Sequence, residues 1–233
     1  MINPVFLTGF FYVCTLTKKH MQLKNTLLPL YGILIFFVLY ILAASFYPGG
    51  NVADKLQSGF DWFHNYWCDL LETKAMNGQN NAAKPLAVVA LILLLVSLGY
   101  LFFLFPKHFP IDSNKAKIWN KIITYAGASS VFLTYFITTS FHDYTIGISS
   151  FLGLLAMLGI FISLKYHSKR LYLITGWMAL SILIVNNLMY YTRMGEYYLP
   201  LMQKIGFAAV LTWFASLSVI MHRKKKSIIS KGV

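Results

Sequence analysis

Six apolar stretches, each about the twenty residues that a helix needs to cross a bilayer core, dominate this chain and limit what it can fold into. They cover residues 27–47, 85–105, 118–141, 144–164, 171–191 and 199–221. Pro48, Gly49 and Gly50 are expected to stop the first and Pro106 the second. Hydrocarbon offers no water, so each backbone must satisfy its own hydrogen bonds, as a helix or a closed barrel does. Runs of this length without period-two alternation are helices. The expected fold is therefore an all-α integral membrane protein, a bundle of about six transmembrane helices.

Residues 1–26 read as a cytoplasmic or interfacial N-terminal segment, 27–221 as the transmembrane domain, and 222–233 as a basic cytoplasmic tail. The apolar start, residues 1–16, is shorter than a span and lacks the basic opening and small-residue cleavage site of a signal peptide. Met21 offers a second translation start.

Composition agrees. Only 12% of residues are charged, against roughly 25% in a soluble domain. With 58% apolar residues, most of the surface has to face lipid. The net charge of +13 does not imply nucleic acid, because the basic residues fall into alternate loops and not onto the face of a soluble domain. Lys and Arg mark cytoplasmic loops. Lys18, Lys19, Lys24, Lys107, Lys115, Lys117, Lys121, Lys165, Lys169, Arg170, Arg223, Lys224, Lys225, Lys226 and Lys231 share one side. The other side has Lys55, Lys74, Lys84 and Arg193, together with most of the acids. The location expected is the cytoplasmic membrane, with both termini inside.

Cys14 and Cys68 are too far apart for a Cys-x-x-Cys redox pair and too few for a thiolate zinc site. The long outer loop, residues 48–84, holds a segment at 60–71 with Phe60, Phe63, Trp67, Leu70 and Leu71 at helical spacing. That spacing suggests an interfacial helix.

Ionisable groups inside a bilayer are costly and point to function. Lys204 lies inside the sixth span after Gln203; it either snorkels to water and Glu196, or turns inward toward an anionic group or Asp143. His142 and Asp143 sit at the outer end of the third and fourth spans, below a hydroxyl stripe of Ser130, Thr134 and Thr138 that serves packing or a polar path. Adding Asn187, Arg193 and Glu196 from the fifth span's end, and His64, Asn65 and Asp69 from the loop, gives one depth of polar groups and a candidate outer-facing binding pocket. No cofactor is expected. If a metal were held, zinc on His64, Asp69, His142 and Asp143 would be the set, although no His-x-x-x-His spacing occurs.

The first outer loop also carries a resemblance. Tyr47-Pro48-Gly49-Gly50, then the run from Gly59 through Asp61, His64, Asn65, Tyr66 and Asp69 to Leu71, then Asn77-Gly78-Gln79-Asn80 and Lys84-Pro85 resemble the bacterial multi-pass family labelled domain of unknown function 998. Asn65, Tyr66, Asp69, Leu70 and His142 are the matching positions. The resemblance implies the span number and no activity. The ceramidase and progestin-receptor-like membrane hydrolases differ: they need His on the last helix, and here the last span has none before His222.

Three functions follow as expectations. The chain could bind a lipid or a membrane-protein partner at the outer pocket. It could transport a small solute or ion, a reading that Lys204 supports and the lack of broken helices opposes. It could be a metal-assisted hydrolase of outer-leaflet lipid.

Overall fold

The computed structural model describes residues 25–114, 116–138 and 142–231, apart from the side chains of His142, Asp143, Ile228, Ile229 and Lys231. Residues 1–24 of the expected N-terminal segment, Cys14 among them, and the turn joining the third and fourth apolar stretches lie outside the described residues. Within them the chain is all-helical: α1 Leu28–Ala44, α2 Lys84–His108, α3 Ile118–Thr134, α4 His142–Tyr166, α5 Arg170–Thr192 and α6 Leu199–Lys231. Four helices are long and apolar enough to cross a membrane: α2, α4, α5 and α6. α1 and α3 have 17 residues each. A 3₁₀ helix, Tyr135–Thr138, prolongs α3.

Local chemistry sets the ends. Pro29 and Pro85 occupy the first turns of α1 and α2, where the missing N–H costs no helical bond. α1 tightens at its exit, with Ser45, Phe46 and Tyr47 N–H groups bonding the carbonyls of Leu42, Ala43 and Ala44. α5 ends on Arg193 and Gly195, both left-handed, which reverse the chain into α6. Two expectations change. Pro106 lies inside α2, which continues to His108, because a proline two residues from the end disturbs only the last turn. α6 runs on through the basic segment to Lys231 and does not stop near Met221.

Consecutive helices pack side by side, and α6 returns to α1 and α2, closing the bundle. Small residues permit the close approaches. A Cβ at Gly32 of α1 would lie 1.7 Å from Ser97 Oγ of α2, and one at Gly127 of α3 would strike the Phe102 ring of α2. The two ends of the bundle differ. At the basic end, Lys224 Nζ donates to His108 O (2.5 Å), Ser163 Oγ to Phe109 O (2.7 Å), and His167 Nε2 lies 2.8 Å from Pro110 O. The opposite end carries the 48–83 loop.

That loop does not contain one helix over 60–71. Residues 62–65 form a turn, and a 3₁₀ helix, Trp67–Leu71, follows. The anticipated apolar face divides: Leu70 and Leu71 are buried in the main core, while Phe63 is exposed.

Candidate functional site

The loop folds around buried amides. Asn65 is 0% exposed and has every polar side-chain atom engaged. Its Oδ1 accepts from Asp61 N–H (2.9 Å), and its Nδ2 donates to Gly50 O (2.8 Å) and Asp69 Oδ2 (2.9 Å). Asp69 Oδ2 also accepts from Tyr66 N–H (2.9 Å), capping the 3₁₀ helix. Asn81 Nδ2 donates to Asp69 O and Glu72 O, each 2.9 Å, and ties the loop's exit to its middle. Asn51 Nδ2 reaches Asp61 Oδ2 (3.0 Å), and His64 Nδ1 lies 2.7 Å from the same oxygen.

Burial raises the Asp69 carboxyl above its ordinary range, against hydrogen bonds from Asn65 and Tyr66 and the nearby Lys204 charge, which act the other way. Asp61 moves down: burial pushes it up, but the hydrogen bonds from His64 and the Phe63 N–H outweigh that.

Two side chains of α6 hold the loop onto the bundle. Lys204, 8% exposed, donates from Nζ to Asn65 O and to Pro200 O (3.1 Å). Gln203 Oε1 accepts from Trp67 N–H (3.1 Å). The Trp67 ring then sits among Phe36, Phe37, Tyr40 and Phe207 with centroids 5.2–6.0 Å away, and Tyr40 OH donates to Trp67 O (2.9 Å). The 3₁₀ helix is thus a ceiling pressed into the bundle.

Below that ceiling lies a chamber of about 790 Å³ bounded by all six helices. Phe36, Leu94, Phe102, Met157, Leu211 and Phe214 are among its apolar walls, and Trp67, Cys68 and Leu71 close its loop end. Its polar groups are neutral hydroxyls, amides and a thiol, including Ser130, Thr134, Ser149, Asn187 and Gln203; no Asp, Glu, Lys, Arg or His lines it among the described residues. Ser130 Oγ donates to Ser149 O (2.7 Å) and Thr134 Oγ1 to Ser130 O (2.8 Å), so this stripe joins α3 to α4 while edging the chamber. Trp67 Nε1 is buried without a hydrogen-bond acceptor among the described residues. A volume of this size, mostly apolar with a few polar groups, has the proportions of a small-molecule or lipid-chain site.

The candidate polar residues scatter more than their common depth suggested. Asn65, Asp69 and Lys204 come together, within the loop's own hydrogen-bond network. His64 belongs to the Asp61 pair and lies against the Tyr197 ring at 4.6 Å. Arg193 and Glu196 pair with each other at 2.6 Å on the exposed surface, so Glu196 is not the partner of Lys204. Asn187 edges the chamber and donates to Leu183 O (2.9 Å). The side chains of His142 and Asp143 lie outside the described residues. Among the described residues no three His, Cys, Asp or Glu side chains gather in a metal-binding set. Sequence reasoning passed over Asn51, Asn81 and Tyr40. Three asparagines buried in one loop, Asn51, Asn65 and Asn81, were the available signal, since amides in a loop's interior organise backbone.

No protein-family model, curated protein or solved structure matches the chain.

Proposed function

We propose that this is a six-span protein of the cytoplasmic membrane that binds a lipid-like amphiphile in the chamber under the loop. The observation that carries the reading is the chamber itself: about 790 Å³, walled by apolar side chains from every helix and free of charged lining among the described residues. Water gains little in such a space, whereas an apolar chain loses its contact with nothing it prefers.

Four spans rest on length and hydropathy, and length supports adding α1 and α3. Ile118–Thr134 with its 3₁₀ extension Tyr135–Thr138 rises about 33 Å at 1.5 Å per α-helical and 2.0 Å per 3₁₀ residue. α1 with its tightened exit through Tyr47 reaches nearly the same length. Orientation rests on charge: Lys107, Lys117, Lys121, Lys165, Lys169, Arg170 and residues 223–226 crowd one end, which we assign to the cytoplasm together with both termini. The loop then faces outward, and exposed Trp62 and Phe63 suit an interfacial position. The resemblance to the family labelled domain of unknown function 998 forms part of the same proposal.

The test is saturable binding of a fluorescent fatty-acyl phosphatidylcholine to purified protein in detergent. Binding at one probe per chain, competed by unlabelled phosphatidylcholine, is expected. Linear, non-saturating partition equal to that of an unrelated six-span protein would remove the reading.

A further inference from the structure

The chamber's walls are not equally closed. On α1, α2 and α6 the deepest lining side chains are sealed: Phe36 and Leu94 are 1% exposed and Leu211 is 2% exposed. On the other flank, Phe151 of α4 is 61% exposed, and Ile184, Leu188 and Tyr191 of α5 are 58%, 59% and 77% exposed, although all four line the same chamber. On this flank the chamber's lining is continuous with the outer surface, as at a mouth.

The packing of α4 and α5 explains where the mouth lies. Toward the basic end the two helices are pinned together: the Phe161 and Trp177 rings lie 4.8 Å apart, and Gly176 lets Phe161 and Trp213 meet over its backbone. Toward the loop end they share little; no residue of α5 after Leu180 is buried, and α5 is the least buried of the four long helices. The helices therefore splay from a closed basic end to an open loop end.

We propose that the chamber opens sideways between the loop-end halves of α4 and α5, and that it takes one acyl chain of a membrane phospholipid through that opening, the headgroup staying outside. This rests on the lipid-binding reading above. A mouth in the lateral wall of a membrane-spanning bundle faces hydrocarbon, not water. The chamber's uncharged lining fits an acyl chain and offers a phosphate no partner, and moving a charge into such surroundings is costly. The ceiling of Trp67, Gln203 and Tyr40, bonded on several sides, closes the axial route from the loop end.

The test places a photoreactive benzoylphenylalanine at Leu98, which lines the chamber from α2. The full-length protein is reconstituted in nanodiscs of phosphatidylcholine and phosphatidylglycerol, illuminated and analysed by mass spectrometry. The expected result is a phospholipid adduct at position 98 that is lost when the mouth is narrowed by Leu154→Trp with Leu188→Trp, both exposed lining positions of α4 and α5, and kept in Val89→Trp, which places a tryptophan at an exposed site outside the lining. A second blocking pair, Phe151→Trp with Ile184→Trp, replaces the first if that variant fails to fold. An undiminished adduct in both blocked proteins would overturn the lateral entry while leaving chamber binding intact. Absence of any phospholipid adduct in the unblocked protein would overturn the chamber reading as well.

Discussion

Asn65 holds the loop from its centre, bridging Gly50, Asp61 and Asp69 through one amide while its carbonyl receives Lys204. Its removal leaves several buried polar groups unmatched, and each costs on the order of 1–3 kcal/mol. Asn65→Ala is therefore expected to lower stability by about 3 kcal/mol, read as a fall in melting temperature in a fixed detergent. Asn187→Ala, an exposed amide with one helical bond, should change it little. Lys204 makes a separate demand. It donates to the loop carbonyl of Asn65, beside Asp69, so Lys204→Met and Asp69→Asn should couple by about 1 kcal/mol in a double-mutant cycle, as neighbouring charges in one network do. The same cycle with Glu196→Gln should be additive, because Glu196 is already paired with Arg193. Coupling to Glu196 and none to Asp69 would contradict this placement of the lysine.

At the scale of elements, the loop depends on backbone shapes that few residues adopt. Gly50 has φ +81°, and a Cβ there would lie 2.4 Å from Asn77 N. Gly50→Ala should destabilise the loop by about 2 kcal/mol, seen as faster amide exchange across residues 48–83 with the exchange of α2 unchanged. Equal protection in both proteins would show that the loop is not built around this turn. The helices were legible in the sequence for a simple reason: length and hydropathy fix a span without any knowledge of its neighbours. Their inward faces were mostly not, because apart from the hydroxyl stripe that joins α3 to α4 these helices are largely apolar all round and carry no polar stripe to mark the side turned to lipid. The same ambiguity concealed Trp67. Aromatics at helical spacing in a loop suit an interface and a core equally, and only the bonds to Gln203 and Tyr40 make it a ceiling. Lys204 stood out because an ammonium in a span is rare, but its partners are backbone carbonyls, which no spacing rule reveals.

Across the whole molecule, charge and cavity point the same way: a basic end that is closed and tightly bonded, and a loop end where the bundle widens over an apolar chamber. Orientation can be read with single cysteines at Ser58 and Ser230 in a protein carrying Cys14→Ser and Cys68→Ser. A membrane-impermeant thiol reagent applied to intact cells should label position 58 and spare position 230; the reverse pattern would invert the topology. The central claim, that the chamber holds lipid, is tested most directly by native mass spectrometry of the protein released from mild detergent. The account predicts one bound phospholipid on the unaltered chain and its loss from Val210→Trp, which fills the chamber from α6, with the melting temperature retained. A lipid-free mass for the unaltered chain, or equal lipid on the filled variant, would contradict it.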